Sequence, residues 1–444
     1  MKIKQNTDSL TRDFGKYVSL NVLGMLGLSC YILADTFFIS RGLGADGLTA
    51  LNLAIPIYSF LNGAGLMTGV GAATKYSIHK AQKKDGAANA VFTHACLLWL
   101  ILGTLFAVAG AGVSGPIAAL MGGEGKTYEM TRIYLKTILS FAPFFLMNNI
   151  LIAFIRNDGG PRLAMSAMLA GSLSNILLDY IFIFPFQMGM FGAAFATGLA
   201  PVISIGVLSV HLIRRRNGFH ICRCRMRGRI LLDICALGMS ALITEVSSGI
   251  VIIVFNMVIL QLEGNTGVAA FGVIANLALV VIAIFTGIAQ GIQPIVSTNY
   301  GKGNTRAAGK ILRLGIMTAL GFAVLIYLLT FGFADGLVMI FNRDNDLHLK
   351  QLAVSGLKLY FTAFLFAGLN ILAASYFSAT EMPKQSFAVS IIRGCVGIIP
   401  LVYLLAHFFG MTGVWISYPV TEAGTAVLAA GFLWYVSRKQ IPEN

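Results

Sequence analysis

Charge is what this sequence has least of. Only 11% of its 444 residues are Asp, Glu, Lys or Arg, against 57% apolar ones, and the mean hydropathy is +0.79. That balance excludes an ordinary water-facing surface, so the solvent for most of the chain is lipid. Cysteine is sparse and scattered: there are six, with Cys222, Cys224 and Cys235 in or beside the stretch from His220 to Cys235. This excludes a disulfide framework and gives no useful zinc spacing, so neither a metal nor a cofactor is expected. No GxxxxGK[ST] stretch occurs, which excludes nucleotide-driven transport within this chain. The one GxGxxG match, Gly42 to Gly47, follows an apolar run and no strand, so it reads as a turn. Alternation of period two is missing from the apolar runs, which argues against a membrane barrel.

What is there is a series of apolar runs at 16–39, 48–77, 91–113, 128–155, 163–184, 190–213, 230–258, 267–299, 311–333, 349–379, 386–408 and 413–437. A hydrocarbon core of roughly 30 Å needs about 20 apolar residues of helix per crossing. Backbone in lipid must satisfy its own hydrogen bonds, so each run is expected to be a helix. The sequence therefore predicts an all-α integral membrane protein of twelve transmembrane helices. The polar, basic first sixteen residues precede a run too long for a signal peptide and without a small-residue cleavage site, which reads as an uncleaved first helix.

Lysine and arginine crowd alternate loops: Lys2, Lys4, Arg12 and Lys16 before the first helix, Lys75, Lys80, Lys83 and Lys84 after the second, and an arginine cluster after the sixth. By the positive-inside rule both termini are cytoplasmic, and the expected location is a bacterial plasma (inner) membrane, crossed many times. The formal charge of +14 is then explained by topology. Arg214, Arg215, Arg216, Arg223, Arg225, Arg227 and Arg229 carry no accompanying aromatic or readout pattern, so no nucleic-acid partner is expected; the loop sets topology at the surface of anionic lipid.

That loop lies at the midpoint, and a shift of about 222 residues maps one half on the other. Gly65 and Gly69 return as Gly287 and Gly291, the NILIA run from Asn149 as NILAA from Asn370, and Pro161-Arg162 as Pro383-Lys384. Gly189-Met190 and Gly192 return as Gly410-Met411 and Gly413. Six helices per half make the repeat a parallel one, about an axis along the membrane normal. The expected domains are an N-terminal bundle at 1–215, a basic cytoplasmic linker at 216–229 and a C-terminal bundle at 230–444. The interface between two such bundles is where a substrate can be exposed to each side in turn.

Carboxylates inside apolar helices cost several kcal/mol unless paired, protonated or facing water, so they lead the search for function. Asp35 in the first helix and Asp179 in the fifth fall in the outer half of the N-terminal bundle, with Tyr31 and Asn175 one turn away on the same faces. Two carboxylates in one poorly hydrated pocket exchange a proton more readily near neutral pH, the chemistry of a proton-coupled carrier. The competing reading has Asp35 ending its helix and Asp179 bonding a neighbour. Glu245, with Thr244, Ser247 and Ser248 beside it, is a candidate cation or proton site in the C-terminal bundle. Arg393 and Glu422 are opposite charges on successive helices, and mutual neutralisation as a structural ion pair explains both. Tyr31, Asn175, Asn149 and Asn370 are the polar residues expected to line a substrate cavity. Gly65, Gly69, Gly287 and Gly291 read as close-packing positions, and Pro56, Pro201, Pro294, Pro400 and Pro419 as kinks or packing features within helices.

With ADTFFISRGLG at Ala34, GLMTGVG at Gly65 with its echo GIAQGIQP at Gly287, RNDGGPR at Arg156, SNILLDYIFIF at Ser174 and GMFGAAFAT at Gly189, the chain resembles the multidrug and toxic compound extrusion family over nearly its whole length. The resemblance implies a monomeric twelve-helix antiporter, not an enzyme, exporting varied, often cationic and amphipathic compounds in exchange for protons or sodium. Asp35 and Asp179 look like the N-lobe acids of the DinF-like branch. Glu245 looks like the helix 7 acid of the NorM-like branch, from which this chain departs by carrying Asn370 where that branch has a carboxylate. Coupling is therefore expected to centre on the first six helices, with two bundles rocking about a central cavity. The rival expectations are a flippase for lipid-linked oligosaccharides, an exporter of one endogenous metabolite such as a flavin, and a channel or receptor without coupling.

Overall fold

The structure, a computed structural model, describes residues 7–341 and 346–439. Lys2 and Lys4, assigned above to the cytoplasmic side, lie outside the described residues. Everything regular among the described residues is helical, as backbone in lipid requires. Four helices form the first half's simple elements: α2 (Asp85–Leu120), α5 (Pro161–Ile183) and α6 (Gly189–Ile213) cross alone, and α1 (Thr7–Ala81) is long enough to cross twice. The fourth crossing is a bent pair, α3 (Gly125–Ser140) and α4 (Ala142–Asn157), meeting at 50°.

The second half repeats this plan. α7 (Gly228–Gly301) crosses twice and α8 (Thr305–Phe341) once; α9 (Leu347–Tyr360) and α10 (Phe364–Ala379) share one crossing through a 3₁₀ turn at Phe361–Ala363. α11 (Pro383–Ile391), a π segment at Ile392–Val396 and α12 (Ile398–Lys439) supply the last two. Eight apolar helical stretches and one bent pair thus make twelve crossings, because three stretches are each long enough for two.

The expected loops between the first and second, seventh and eighth, and eleventh and twelfth spans do not exist. Each is a single non-helical glycine at the kink where one helix passes straight into the next: Gly44 (φ 70°, ψ −160°), Gly264 (φ 62°, ψ −151°) and Gly410 (φ 57°, ψ −138°). Only glycine occupies that backbone region without strain, so one residue reverses the helix without spending a loop. The GxGxxG match of the sequence is this hinge. Gly44 and Gly264 stand 220 residues apart, so the hinge belongs to the repeat. So does the bend of the fourth span at Phe141, answered by the 3₁₀ turn around Thr362 in the tenth. Pro161 and Pro383 open α5 and α11 at the first turn, where a missing N–H costs nothing.

The halves close on each other at the end where the basic linker lies. There Gly71 and Gly238 bring the second and seventh spans into backbone contact, Gly71 against Ile234 and Gly238 against Met67. Gly287 and Gly291 do the same against the first span: a Cβ on either would stand 2.6 Å from Val22 Cα or 2.7 Å from Val18 Cα. Their repeat partners Gly65 and Gly69 pack instead inside their own lobe, on Asn149 of α4. Repeat-related glycines thus do different work, one pair between lobes and one within a lobe.

Polar bonds reinforce this closure. Arg156, 2% exposed, donates to Asn21 Oδ1 at 3.0 Å and across the lobes to Gln290 Oε1 at 2.6 Å. Gln293 accepts from Asn157 at 3.2 Å and donates to Thr74 at 2.7 Å. Lys75 on α1 bridges Glu381 at 2.9 Å and Asp233 at 3.1 Å, both in the second half.

Candidate functional site

The first span and α5 run side by side because glycines on α1 leave room: a Cβ on Gly24 would come within 3.0 Å of Met168 Sδ, and one on Gly27 within 2.5 Å of Leu169 Cδ2. Further along, Gly42 meets Ile183. This parallel register brings Asp35 and Asp179 together in the half of the lobe away from the basic end, with their carboxyl groups within hydrogen-bonding reach of each other. Both side chains are buried, Asp35 7% and Asp179 0% exposed. Two carboxylates in such contact repel; the contact becomes a bond only when one of them carries a proton. The other oxygens, Asp35 Oδ1 and Asp179 Oδ1, are buried without a protein partner, leaving acceptor capacity inside the lobe.

Neutral polar groups surround the pair. Asn175, one turn before Asp179, donates to Asp179 Oδ2 at 3.1 Å and accepts from Thr197 N at 3.3 Å with its amide oriented by those partners. Tyr134 of α3 is buried close to Thr197 of α6. Tyr31, one turn before Asp35, meets Tyr58 of the second span, hydroxyl to hydroxyl, at 3.0 Å. Phe38, Tyr180 and Phe184, neighbours of the acids in sequence, pack together with ring centroids 5.5 to 6.1 Å apart, Phe38 edge to face with Phe184.

Tyr134, Tyr58 and Thr197 were not singled out by sequence reasoning. Thr197 ends the GMFGAAFAT motif, which was its signal; Tyr134 and Tyr58 had none, since a tyrosine in an apolar helix is ordinary. Among the expected pairings, Asp35 with Asp179, Tyr31 beside the first acid and Asn175 beside the second are brought into one cluster.

Glu245 is placed differently from expectation. It sits half-buried on α7 but faces the first lobe, opposite Gly63 of the second span, whose missing side chain makes the notch: a Cβ there would lie 3.2 Å from Glu245 Cβ. Glu245 lies beside Asn62, which accepts from Asn149 Nδ2 at 3.1 Å. The third acid thus belongs to the seam between lobes and neighbours the first lobe's polar residues. Asn370 departs further from its expected place in a cavity. It is fully buried and donates to Glu422, at 2.8 Å to the backbone oxygen and 2.6 Å to Oε2, because a deeply buried carboxylate draws every nearby donor.

Arg393 and Glu422 form the expected pair, Nη2 to Oε1 at 2.7 Å and Nε to Oε1 at 3.1 Å, with Glu422 wholly buried. Arg393 lies in the π segment, which has no counterpart in α5. Both lobes therefore bury polar clusters of different character, one acidic and one internally neutralised. Among the described residues no group of three His, Cys, Asp or Glu side chains is placed to hold a metal ion.

The MatE family model matches the chain twice, at residues 22–181 and 240–404, once in each lobe. The multidrug export protein MepA of Staphylococcus saprophyticus is 28% identical over 422 residues, covering 95% of this chain and 92% of that protein. MepA of Staphylococcus aureus is 27% identical over the same coverage. A solved outward-facing multidrug resistance MATE transporter of the MOP superfamily superposes with a TM-score of 0.90 at 24% identity, covering 99% of this chain and 98% of that one. A mutant of the Vibrio cholerae MATE transporter VcmN does so with a TM-score of 0.90 at 21% identity, covering 98% of each. These last two share the fold. A twelve-span, two-lobe chain that matches the family model in both halves is a MATE transporter, a multi-pass membrane protein and not an enzyme: the chain belongs to the multidrug and toxic compound extrusion family.

Proposed function

We propose that this protein is a secondary active multidrug exporter that exchanges cationic or amphipathic small molecules for protons by alternating access. The carrying observation is the buried contact between Asp35 and Asp179, two acids that attract only when they share a proton. Proton uptake removes negative charge from the cluster, weakens a bound cation and releases it; proton loss on the other side restores affinity. Only such a difference in affinity between two states moves the equilibrium. MepA's description as a multidrug export protein, over nearly the whole chain, supports the substrate class.

Glu245 acts in this scheme as a third acid at the lobe seam, a proton or sodium site. Tyr31, Asn175 and Asn149 are polar groups of the substrate path, whereas Asn370 serves the structural pair Arg393–Glu422. No cofactor takes part beyond the coupling ion. Arg393 is already neutralised, which disfavours a flippase that must hold a lipid phosphate.

The domain division at 1–215, 216–229 and 230–444 belongs to the same reading, supported by α6 ending at Ile213 and α7 beginning at Gly228. So do a bacterial plasma-membrane location, a monomer as the working unit and a cytoplasmic basic end. With that orientation the lobe contacts seal the cytoplasmic side, the arrangement of an outward-facing state.

The test is dye transport into proteoliposomes driven by a proton gradient alone, then by a sodium gradient alone. Transport on the proton gradient, lost in Asp35→Asn and in Asp179→Asn while both remain monodisperse, is expected. Normal counter-transport in Asp35→Asn would overturn the reading, and transport on sodium alone would replace the proton as coupling ion.

A further inference from the structure

The basic stretch between α6 and α7 is not a loose connection. From Phe219 to Arg227 it has no regular secondary structure but is tied along the start of α2: His220 N donates to Asn89 Oδ1 at 3.1 Å, Cys222 N to Thr93 Oγ1 at 3.0 Å and Arg227 N to His94 Nε2 at 3.0 Å. Phe219, 1% exposed, is buried between Phe92 and Phe154, with ring centroids 4.7 and 5.3 Å away. Gly218 N donates to Asp158 Oδ2 at 2.6 Å, which fixes the strap's entry.

Cys222 and Cys224 are half-buried toward the lobe, while Ile221, Arg223 and Arg225 are exposed. Ile221 is 73% exposed, Met226 50% and Ile213, just before the strap, 76%. Arginines and large apolar side chains are thus exposed together, at the edge of the helical bundle where spans end. None of the seven arginines from Arg214 to Arg229 forms an ion pair among the described residues. The nearby acids are already engaged: Asp158 with His211 and Tyr76, Asp85 with Lys80, Asp233 with Lys75.

We infer that this strap is a binding surface for anionic phospholipid headgroups, with Ile213, Ile221 and Met226 entering the headgroup boundary and Arg223 and Arg225 pairing with phosphate. Charge complementarity selects the occupant, and the apolar residues distinguish a bilayer from a free anion, which offers them nothing. The strap's bonds to Asn89, Thr93 and His94 hold it on the first lobe, so lipid held there anchors that lobe.

The full-length protein, reconstituted in nanodiscs of phosphatidylcholine with and without phosphatidylglycerol, is examined by native mass spectrometry and by hydrogen exchange over 219–227. Phosphatidylglycerol is expected to be retained and to slow exchange in the strap. Arg223→Gln with Arg225→Gln should lower its retention by about twenty-fivefold, from roughly fivefold per basic side chain near the surface, whereas the double Lys variant should keep it. Both positions are exposed, so the fold is undisturbed, and size-exclusion chromatography verifies this. Retention equal to that of the parent in the double Gln variant would overturn the inference. So would equal protection by inorganic phosphate or by a short RNA in phosphatidylcholine alone.

Discussion

Removing the charge of Glu422 should be one of the most damaging conservative changes available to this protein. Its carboxylate is wholly buried, accepts from Arg393 Nη2 at 2.7 Å and Nε at 3.1 Å and from Asn370 Nδ2 at 2.6 Å. Glu422→Gln keeps the volume but leaves the Arg393 guanidinium, whose side chain is only 10% exposed, without its counter-charge. Breaking one partner of a buried pair costs about 3–5 kcal/mol, mostly the uncompensated charge left behind. Replacing both by apolar residues of similar size, Arg393→Met with Glu422→Leu, removes the penalty along with the pair and should return stability to within about 1 kcal/mol of the parent. Denaturant unfolding in detergent followed by tryptophan fluorescence reads this directly: Trp415, two turns before Glu422 on α12 and 1% exposed, is one of three tryptophans. An unchanged midpoint in Glu422→Gln, or a double variant as unstable as the single one, would refute the reasoning. Transport retained by the double variant would identify the pair as scaffold.

The hinge glycines should resist substitution: Gly44→Ala, Gly264→Ala and Gly410→Ala each force a side chain into a glycine-only conformation, costing about 1–3 kcal/mol by thermal unfolding. Gly291→Ala places a Cβ 2.7 Å from Val18 Cα at the lobe contact, so distances between spin labels across the basic end should lengthen without loss of folded protein. Glu245→Gln should retain substrate binding but slow proton-driven dye transport, because the amide keeps the side chain's volume opposite Gly63 while the ionisable group at the seam is gone. Unaltered transport rates in that variant would limit coupling to the two N-lobe acids.

Much of the fold was legible because lipid permits few solutions. Long apolar runs must be helices, and the ordered matches at one offset fixed two lobes of common plan. What the runs did not disclose was the hinges. Gly44, Gly264 and Gly410 looked like loop residues, since a glycine tells nothing of its φ until its neighbours are known to be helical. The acids were legible individually, because ionisable groups in lipid stand out. Their pairing was inferred from depth and then met in the structure, and Tyr134, Tyr58 and Thr197 emerged only with the neighbours in place.

By itself the sequence determined the class of solvent, the number of crossings, the repeat and the rarity of buried charge, all of which follow from local composition and the cost of bare backbone in hydrocarbon. Tertiary structure alone decided what each buried polar group faces. Glu245 belongs to the lobe seam because Gly63 leaves it a notch; Asn370 serves Glu422 and no cavity; Gly287 and Gly291 hold the lobes together while Gly65 and Gly69 pack within one. Repeat-related residues carry the same local propensity, but which helix stands opposite is a matter of packing across hundreds of residues of chain.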